Sequence, residues 1–385
     1  MTRYTRRIFF YSAVVLFALL APLIIAYSLG YTFDVGTRSL EQTGGIFIKS
    51  KTPRMSVFLD GVFIKETSYF SGGALLTEIT PGVHHLRLEK TGYHPWSKTI
   101  KVDPSLVTDF RNVLLISDPP SIASSTRDEL TSLHTYATSG SFRPITPKET
   151  VSVPDLSVPP QSLPAFSLDN KHNLIEKTAT TSKIFLPYIN SFSVIDAMIY
   201  FIDKNGFLGK INPLSKDITT IGRPGFYLSN QPAQFSQALN GDIMILDASG
   251  GLFISDGSTN IQAITGSVRQ FAFDGKGAKM LIRKDNSIDI YWLEDNAFQP
   301  FQKSGTKEQV FASDALIQDA DWFFADNAHI VIRTPDSIFL TEIDARDGKN
   351  LIRLFPEKTD ELVTIPSLPN SIFFRKEKTF FTISL

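Results

Sequence analysis

The alternation of apolar and polar residues changes character several times along the chain. Ile8 to Leu29 (IFFYSAVVLFALLAPLIIAYSL) is an almost unbroken apolar run. At about 1.5 Å rise per residue, a helix of this length crosses a hydrocarbon core of about 30 Å. Residues 30–43 are a polar juxtamembrane stretch. From 44 to 117 the pattern predicts short strands. Ile46 and Ile48 alternate with Phe47 and Lys49, and Val57 and Leu59 lead into an Asp60-Gly61 turn. Pro81-Gly82 marks another turn, and Leu86 and Leu88 alternate with Arg87 and Glu89 before a return strand with Ile100 and Val102. Asp-Gly between apolar runs is a strong local hairpin signal.

Residues 118–165 are rich in Ser, Thr and Pro and lack sustained periodicity. Prolines remove backbone donors and favour extended chain, so this stretch reads as a semi-rigid linker with a short helix around Thr126 to His134. Beyond Phe166, apolar strands recur at MIYFID (198–203), DIMILD (242–247), AKMLIR (278–283), AHIVIR (328–333) and SIFFRK (371–376). Most are followed by a polar turn and a second strand. Their spacing lies in the range of propeller blades, whose sheets bury their faces by radial stacking. A further blade near 167–178 completes the expected set, and a β-sandwich with long connections is the alternative for 166–385.

Two resemblances follow from these residues. The stretch TPRMSVFLDGVFIKET, with ITPGVHHLRLEKTGYHPWSKTIKV after it, resembles a PEGA domain. Pro53, Val57, Leu59, Asp60, Gly61, Thr67, Pro81, Gly82, His84, Leu86, Leu88, Lys90, Gly92 and Tyr93 fall in the matching places. Arg54-Met55-Ser56 departs from the family's Gly-Ala step, Lys65 replaces a glycine and Ser68 a proline. The resemblance implies a small β-sandwich found in exported or membrane-attached prokaryotic proteins, with no catalytic residues to carry over. The segments around Phe273-Asp274-Gly275 and Trp322 resemble blades of TolB-like or WD40-like β-propellers. The Trp-Asp dipeptide is missing, since Leu293 follows Trp292 and Phe323 follows Trp322. The expected fold class is therefore mainly β: an N-terminal transmembrane helix, a PEGA-like β-sandwich and a C-terminal propeller-like domain.

Flanking charge orients the apolar run. Arg3, Arg6 and Arg7 precede it, and the next basic residue is Arg38. The positive-inside rule then leaves residues 1–7 as a cytoplasmic stub, 8–29 as the anchor of a single-pass cytoplasmic or inner membrane protein, and the rest extracytoplasmic. A cleaved signal peptide is the competing reading, with Ala26-Tyr27-Ser28 as its cleavage site, but signal h-regions run only about 7–15 residues. The net charge of −1 argues against a nucleic-acid partner, and the absence of cysteine removes disulfides, thiolate metal sites and cysteine nucleophiles.

Candidate chemistry is sparse. Asp203, Asp247, Asp256, Asp274, Asp285, Asp319, Asp321 and Asp326 sit mostly beside Gly or Asn, where Asp bonds its own backbone in turns. The calcium loop spacing of an EF-hand is absent. His84, His85, His94, His134, His172 and His329 show no metal-ligand spacing. No nucleophile elbow or phosphate-binding loop occurs. The expectation is no catalytic residue, no metal and no cofactor. Tyr93 and Trp96 are the candidate ligand-binding residues, because clustered rings at a hairpin end suit a sugar face; filling a small core is the structural alternative. These features predict a non-enzymatic, membrane-anchored binding or scaffold protein of the prokaryotic cell envelope, presenting a propeller surface to an envelope protein or a cell-wall glycan. An envelope hydrolase with its site in the propeller channel is the alternative.

Overall fold

The computed structural model describes residues 3–28, 30–34, 39–138, 165–178, 181–346 and 348–385. Helix α1 (Arg3–Ser28) carries the apolar run, with Pro22 inside it. Within Tyr4–Ser28 an 18-residue window has a mean hydropathy of 2.6 and none of that window is buried in the fold, so the helix is long and apolar enough to cross a membrane. A short hairpin, Tyr31–Asp34 with Ser39–Gln42, follows. The Tyr27 hydroxyl donates to Glu78 at 3.2 Å, and Thr43 returns to the Gly30 carbonyl through its backbone at 2.8 Å, tying the helix end to the first domain.

That domain is a sandwich of a three-stranded and a four-stranded sheet. In the first, strand Gly44–Ser50 lies between Gly73–Ile79 and Val107–Val113, pairing with the last in parallel. The second runs Val62–Glu66, Ser56–Leu59, Gly82–Glu89, Trp96–Val102. The predicted alternation holds: Ile46, Ile48, Val57, Leu86, Leu88, Ile100 and Val102 fill one core between the sheets. Asp60 and Gly61 have φ of 51° and 81°, the paired positive values of a tight hairpin turn. Of the departures from the PEGA pattern, Met55 is buried in the core, whereas Lys65 and Ser68 are exposed.

Residues 165–385 form successive antiparallel sheets arranged as propeller blades. The strands 198–203, 243–246, 279–283, 329–333 and 371–376 are the second strands of blades two to six. Period-two alternation explains the stacking. In blade four, Met280 and Ile282 face the blade-three core while Leu281 faces blade five. In blade five, Ile330 and Ile332 point back and Val331 points on. Both faces of each central strand are therefore buried, which is why these segments read as continuous apolar runs. The first blade, from Ala165 to Leu186, has three strands and packs on the second.

The stretch 118–165 departs from the linker expectation. Ser121–Ser124 pairs with the last strand, Thr379–Ser384, so the chain just beyond the first domain supplies the outer strand of blade six. Helix α2 (Arg127–Thr138) then follows, close to the predicted short helix. Thr126 and Glu129 cap it reciprocally, the Thr126 backbone amide donating to Glu129 at 2.7 Å and the Glu129 amide to the Thr126 hydroxyl at 3.3 Å. Leu133 and Tyr136 cover Val363, Ile365 and Phe373, the face of blade six turned away from blade five. Proline content misled the reading because pairing here comes from a strand far along the sequence. The rest of the expected linker, 139–164, lies outside the described residues.

A repeated arginine records where the stack ends. Arg283 and Arg333 close the second strands of blades four and five and donate to the carbonyls of Ile317 (2.8 Å) and Thr359 (2.9 Å), each just ahead of the next blade's inner strand. Arg375 holds the equivalent place in blade six but donates to Glu377 of its own blade at 2.8 Å. Helix α2, rather than another clamped blade, covers that face.

Trp322 is fully buried on the inner strand of blade five, and its Nε1 donates to the Ala272 carbonyl of blade four at 2.9 Å. Trp322→Ala should lower stability by about 3–5 kcal/mol, read from urea unfolding of the full chain in detergent. A change below 1 kcal/mol would remove Trp322 as an inter-blade anchor.

Candidate functional site: the cleft between the two domains

The site begins with strand Trp96–Val102, which alternates buried and exposed positions from end to end. Lys98 shares the inward parity of Trp96, Ile100 and Val102, and its side chain has no solvent exposure. It passes out of the first domain into a propeller loop. There its ammonium lies 3.2 Å from the Glu342 carboxylate and donates to the carbonyls of Asp344 (2.8 Å), Arg346 (2.9 Å) and Gly348 (3.0 Å). A buried ammonium costs several kcal/mol in lost hydration, so its three donors need such a ring of acceptors. Glu342 is satisfied in turn by Trp96 Nε1 at 3.2 Å and by the Asn350 backbone and side-chain amides at 3.0 and 2.8 Å.

Further bonds extend the contact. Arg346 donates to the Asp109 carbonyl at 2.8 Å and to Gln299 at 2.7 Å. Gln299 receives the Asp109 amide at 3.0 Å and donates to the Val107 carbonyl at 2.9 Å, continuing the strand's own pairing pattern. Arg111 lies over the Phe298 ring at 4.3 Å. The propeller is thus docked directly on the PEGA-like sandwich, and the expected separation by a spacer does not occur in the described residues.

Beside this contact lies a cavity of about 500 Å³. Sandwich residues Lys49, Lys51, Phe110 and Arg111 form one wall; Lys276, Lys279, Trp292, Phe298, Asp326 and Glu342 of the propeller form the other. The acids there are tied up. Asp326 pairs with His329 at 2.7 Å, Glu342 with Lys98, and Asp344 with Arg346 at 2.6 Å. Burial pushes the Lys279 ammonium below the ordinary lysine range, partly offset by Asp274 at 3.4 Å.

The two residues expected to bind ligand are not brought together. Trp96 lines the cavity but is 3 % exposed, its ring packed edge-to-face on Phe110 at 5.4 Å and its N–H given to Glu342. Tyr93 is half-buried against the sandwich core, with Lys90 over its ring at 5.1 Å, and does not line the cavity. The aspartates divide. Asp203, Asp247, Asp256, Asp274 and Asp326 each accept backbone amides two to five residues on, as turn chemistry requires. Asp285 pairs with Arg269 at 2.8 Å, and Asp319 and Asp321 accept the amides that follow them. Among the described residues no group of three or more His, Asp or Glu side chains is placed to hold a metal. The sequence reading missed Lys98, whose signal was a lysine at core parity in an otherwise regular strand.

Residues 43–115 match the family model described as the PEGA domain. No curated protein sequence matches the chain. Among solved structures, YCF48 from Cyanidioschyzon merolae is similar at 9% identity and a TM-score of 0.35, over 57% of this chain and 76% of that one. A chain of the nidogen/laminin complex is similar at 11% and 0.30, over 54% and 83%. The extracellular domain of the "putative one component system BT4673 from B. thetaiotaomicron" is similar at 9% and 0.34, over 89% of this chain and 40% of that one. No activity or partner transfers from these likenesses.

Lys98→Met removes the ammonium but leaves Glu342 and the carbonyls buried, and should cost about 3–5 kcal/mol in urea unfolding of the full chain in detergent. Adding Glu342→Gln should recover part of that loss, because the uncompensated carboxylate is gone; additive losses would exclude the coupling.

The His329–Asp326 pair sets a pH window. Burial pulls His329 down, but Asp326 and then Glu342 more than reverse it, leaving the imidazole above its ordinary 6.5. Burial pushes Asp326 up, yet His329 and backbone amides hold it below its ordinary 3.8. The raised histidine stabilises fully below pH 6.5 and loses that contribution as pH rises through its folded value. The lowered aspartate stabilises above pH 3.8 and loses its contribution as pH falls through its folded value. Unfolding midpoints should therefore fall on the alkaline side, and His329→Gln should flatten that limb. An unchanged slope in the variant would contradict this assignment.

Proposed function

We propose that the protein is a non-enzymatic, membrane-anchored binding or scaffold protein of the prokaryotic cell envelope, with its PEGA-like and propeller domains held outside the cytoplasm as one body. The observation that carries this reading is the direct docking of the two domains around Lys98, beside an apolar helix that remains outside the fold. A helix tethers; a docked pair presents a fixed surface. Arg6 and Arg7 lie near the start of the helix, ahead of its apolar run, which supports an inside N-terminus.

The geometry supports binding over hydrolysis. Asp326, Glu342 and Asp344 at the cavity are each engaged by a cation, and His329 beside them is buried. A general acid–base pair needs carboxyl groups in reach of substrate, not locked into structural pairs. The partner is an envelope protein or a cell-wall glycan.

Protease added to intact spheroplasts should remove a C-terminal tag and spare an N-terminal one. A pulldown from detergent-solubilised membranes with the full chain as bait should recover a defined envelope component. Protection of the C-terminal tag, or repeatedly empty pulldowns, would contradict the reading.

A further inference from the structure

The outer face of the three-stranded sheet carries a row of apolar side chains that the core does not use. Period-two alternation sends Ile46, Ile48, Ala74 and Leu76 inward, and therefore turns Phe47, Leu75 and Val107 outward. Phe47 pairs with Leu75 on one neighbouring strand, and Val107 stands opposite Gly45 on the other. A propeller loop extends the row. Gln299 bonds the free edge of the Val107 strand, and Phe298 and Phe301 beside it are 54 % and 70 % exposed. These five side chains border a groove of about 360 Å³. Exposed apolar groups gathered at one groove mark a protein or membrane contact more often than scattered ones do.

The position of the groove selects between those partners. All three strands of the sheet begin or finish where α1 ends. The Tyr27 hydroxyl reaches Glu78, next to the strand end Ile79, and Ile79 pairs with Gly44. Thr43 donates its amide to Gly30 and accepts the Ser105 amide at 2.9 Å, and Gly45 donates to the Leu106 carbonyl at 2.9 Å. At about 3.3 Å per residue, Phe47 stands only about 10 Å beyond Gly44 and Leu75 about 13 Å beyond Ile79. The headgroup layer is itself about 5–8 Å deep on each side of the hydrocarbon. The row crosses the strands, so an upright sheet holds it parallel to the bilayer just above the headgroups, and a modest tilt sets it among them. Asp109, the acid lining the groove among the described residues, pairs with Arg111, whose guanidinium lies over Phe47 at 5.4 Å and Phe298 at 4.3 Å. No lone carboxylate at the groove opposes contact with lipid.

We propose that this groove is a lipid-contact surface: Phe298, Phe301, Leu75 and Val107 enter the boundary between headgroups and acyl chains of the leaflet from which α1 emerges. The occupant is bilayer lipid, and the docked domains rest on the membrane at this face instead of standing clear of it on a tether. The inference rests on membrane anchoring by α1 and goes beyond it, because a tether alone places no other part of the chain in lipid.

Because the chain has no cysteine, single spin labels can be placed on the full chain at Phe17→Cys in the helix, at Leu75→Cys and Phe301→Cys by the groove, and at Leu316→Cys as a reference. Leu316 lies beside Arg283, at the opposite end of that blade strand from Lys279 and the sandwich. In nanodiscs of phosphatidylethanolamine and phosphatidylglycerol in equal parts, collisions of each label with oxygen, which concentrates in lipid, are compared with collisions with a water-soluble nickel chelate. The oxygen-to-nickel ratio at both groove sites should exceed that at Leu316→Cys by about fivefold and stay below that at Phe17→Cys. Adding Phe301→Asp, a change at an exposed position, sets a charge at the boundary and should lower the ratio at Leu75→Cys by about half. Far-ultraviolet circular dichroism confirms that the variants are folded. A ratio at either groove site equal to that at Leu316→Cys, or a Leu75→Cys ratio unmoved by Phe301→Asp, overturns the proposal while lipid exposure at Phe17→Cys leaves the anchor standing. Loss of both kinds of collision at the groove would place a protein or a second copy of the chain there and also overturn it. Nickel-dominated collisions at Phe17→Cys would refute the anchor reading, and this inference with it.

Discussion

One buried ammonium fixes the arrangement of the molecule. Lys98 leaves the sandwich on a strand whose other inward residues are apolar, and it ends inside a propeller loop among three carbonyls and a carboxylate. Removing a lysine charge from water is so costly that such a position persists only where acceptors are already in place. The loop from Glu342 to Asn350 provides them, and the same loop gives Arg346 and Asn350 to the sandwich. The cavity lies beside this contact, and Lys98 pairs one of its acids, Glu342.

The propeller-like domain meets a related constraint. A stack of sheets must finish somewhere, and the finishing face is apolar. Blade six resolves this with α2 on its face and Ser121–Ser124 along its edge, both from the chain just beyond the sandwich. The segment leaving the first domain is thus woven into the end of the second. Ile116, at that exit, packs in the same core as blades five and six. Covalent order and packing reinforce the docking made by Lys98.

Much of the fold was legible because period-two patterns act locally. Ile46, Ile48, Leu86 and Leu88 announced their inward faces, and the second strands of blades two to six stood out since both of their faces are buried. The short helix expected around Thr126 to His134 is α2, and its start is fixed by the reciprocal capping of Thr126 and Glu129. The role of Ser121–Ser124 was hidden, because its partner lies at the far end of the chain and its residues are all exposed. The site was less legible still. Trp96 drew attention as a ring, but its place is in the core and at the edge of the cleft. Lys98 carries no local signal beyond its core parity, because its acceptors lie in a propeller loop. A site formed between two domains leaves no contiguous motif, since Trp96 and Lys98 meet partners 246 positions away.

The site between the domains exists only if the two move as one body. The chain contains no cysteine, so two can be introduced and spin-labelled without competition. Val83 on the sandwich and Leu239 on the propeller are 71 % and 76 % exposed and suited to labels. Double electron–electron resonance on Val83→Cys/Leu239→Cys in detergent should give one narrow distance distribution, broadened when Lys98→Met is added. A broad distribution with Lys98 intact would contradict the docking on which the structure of the site depends.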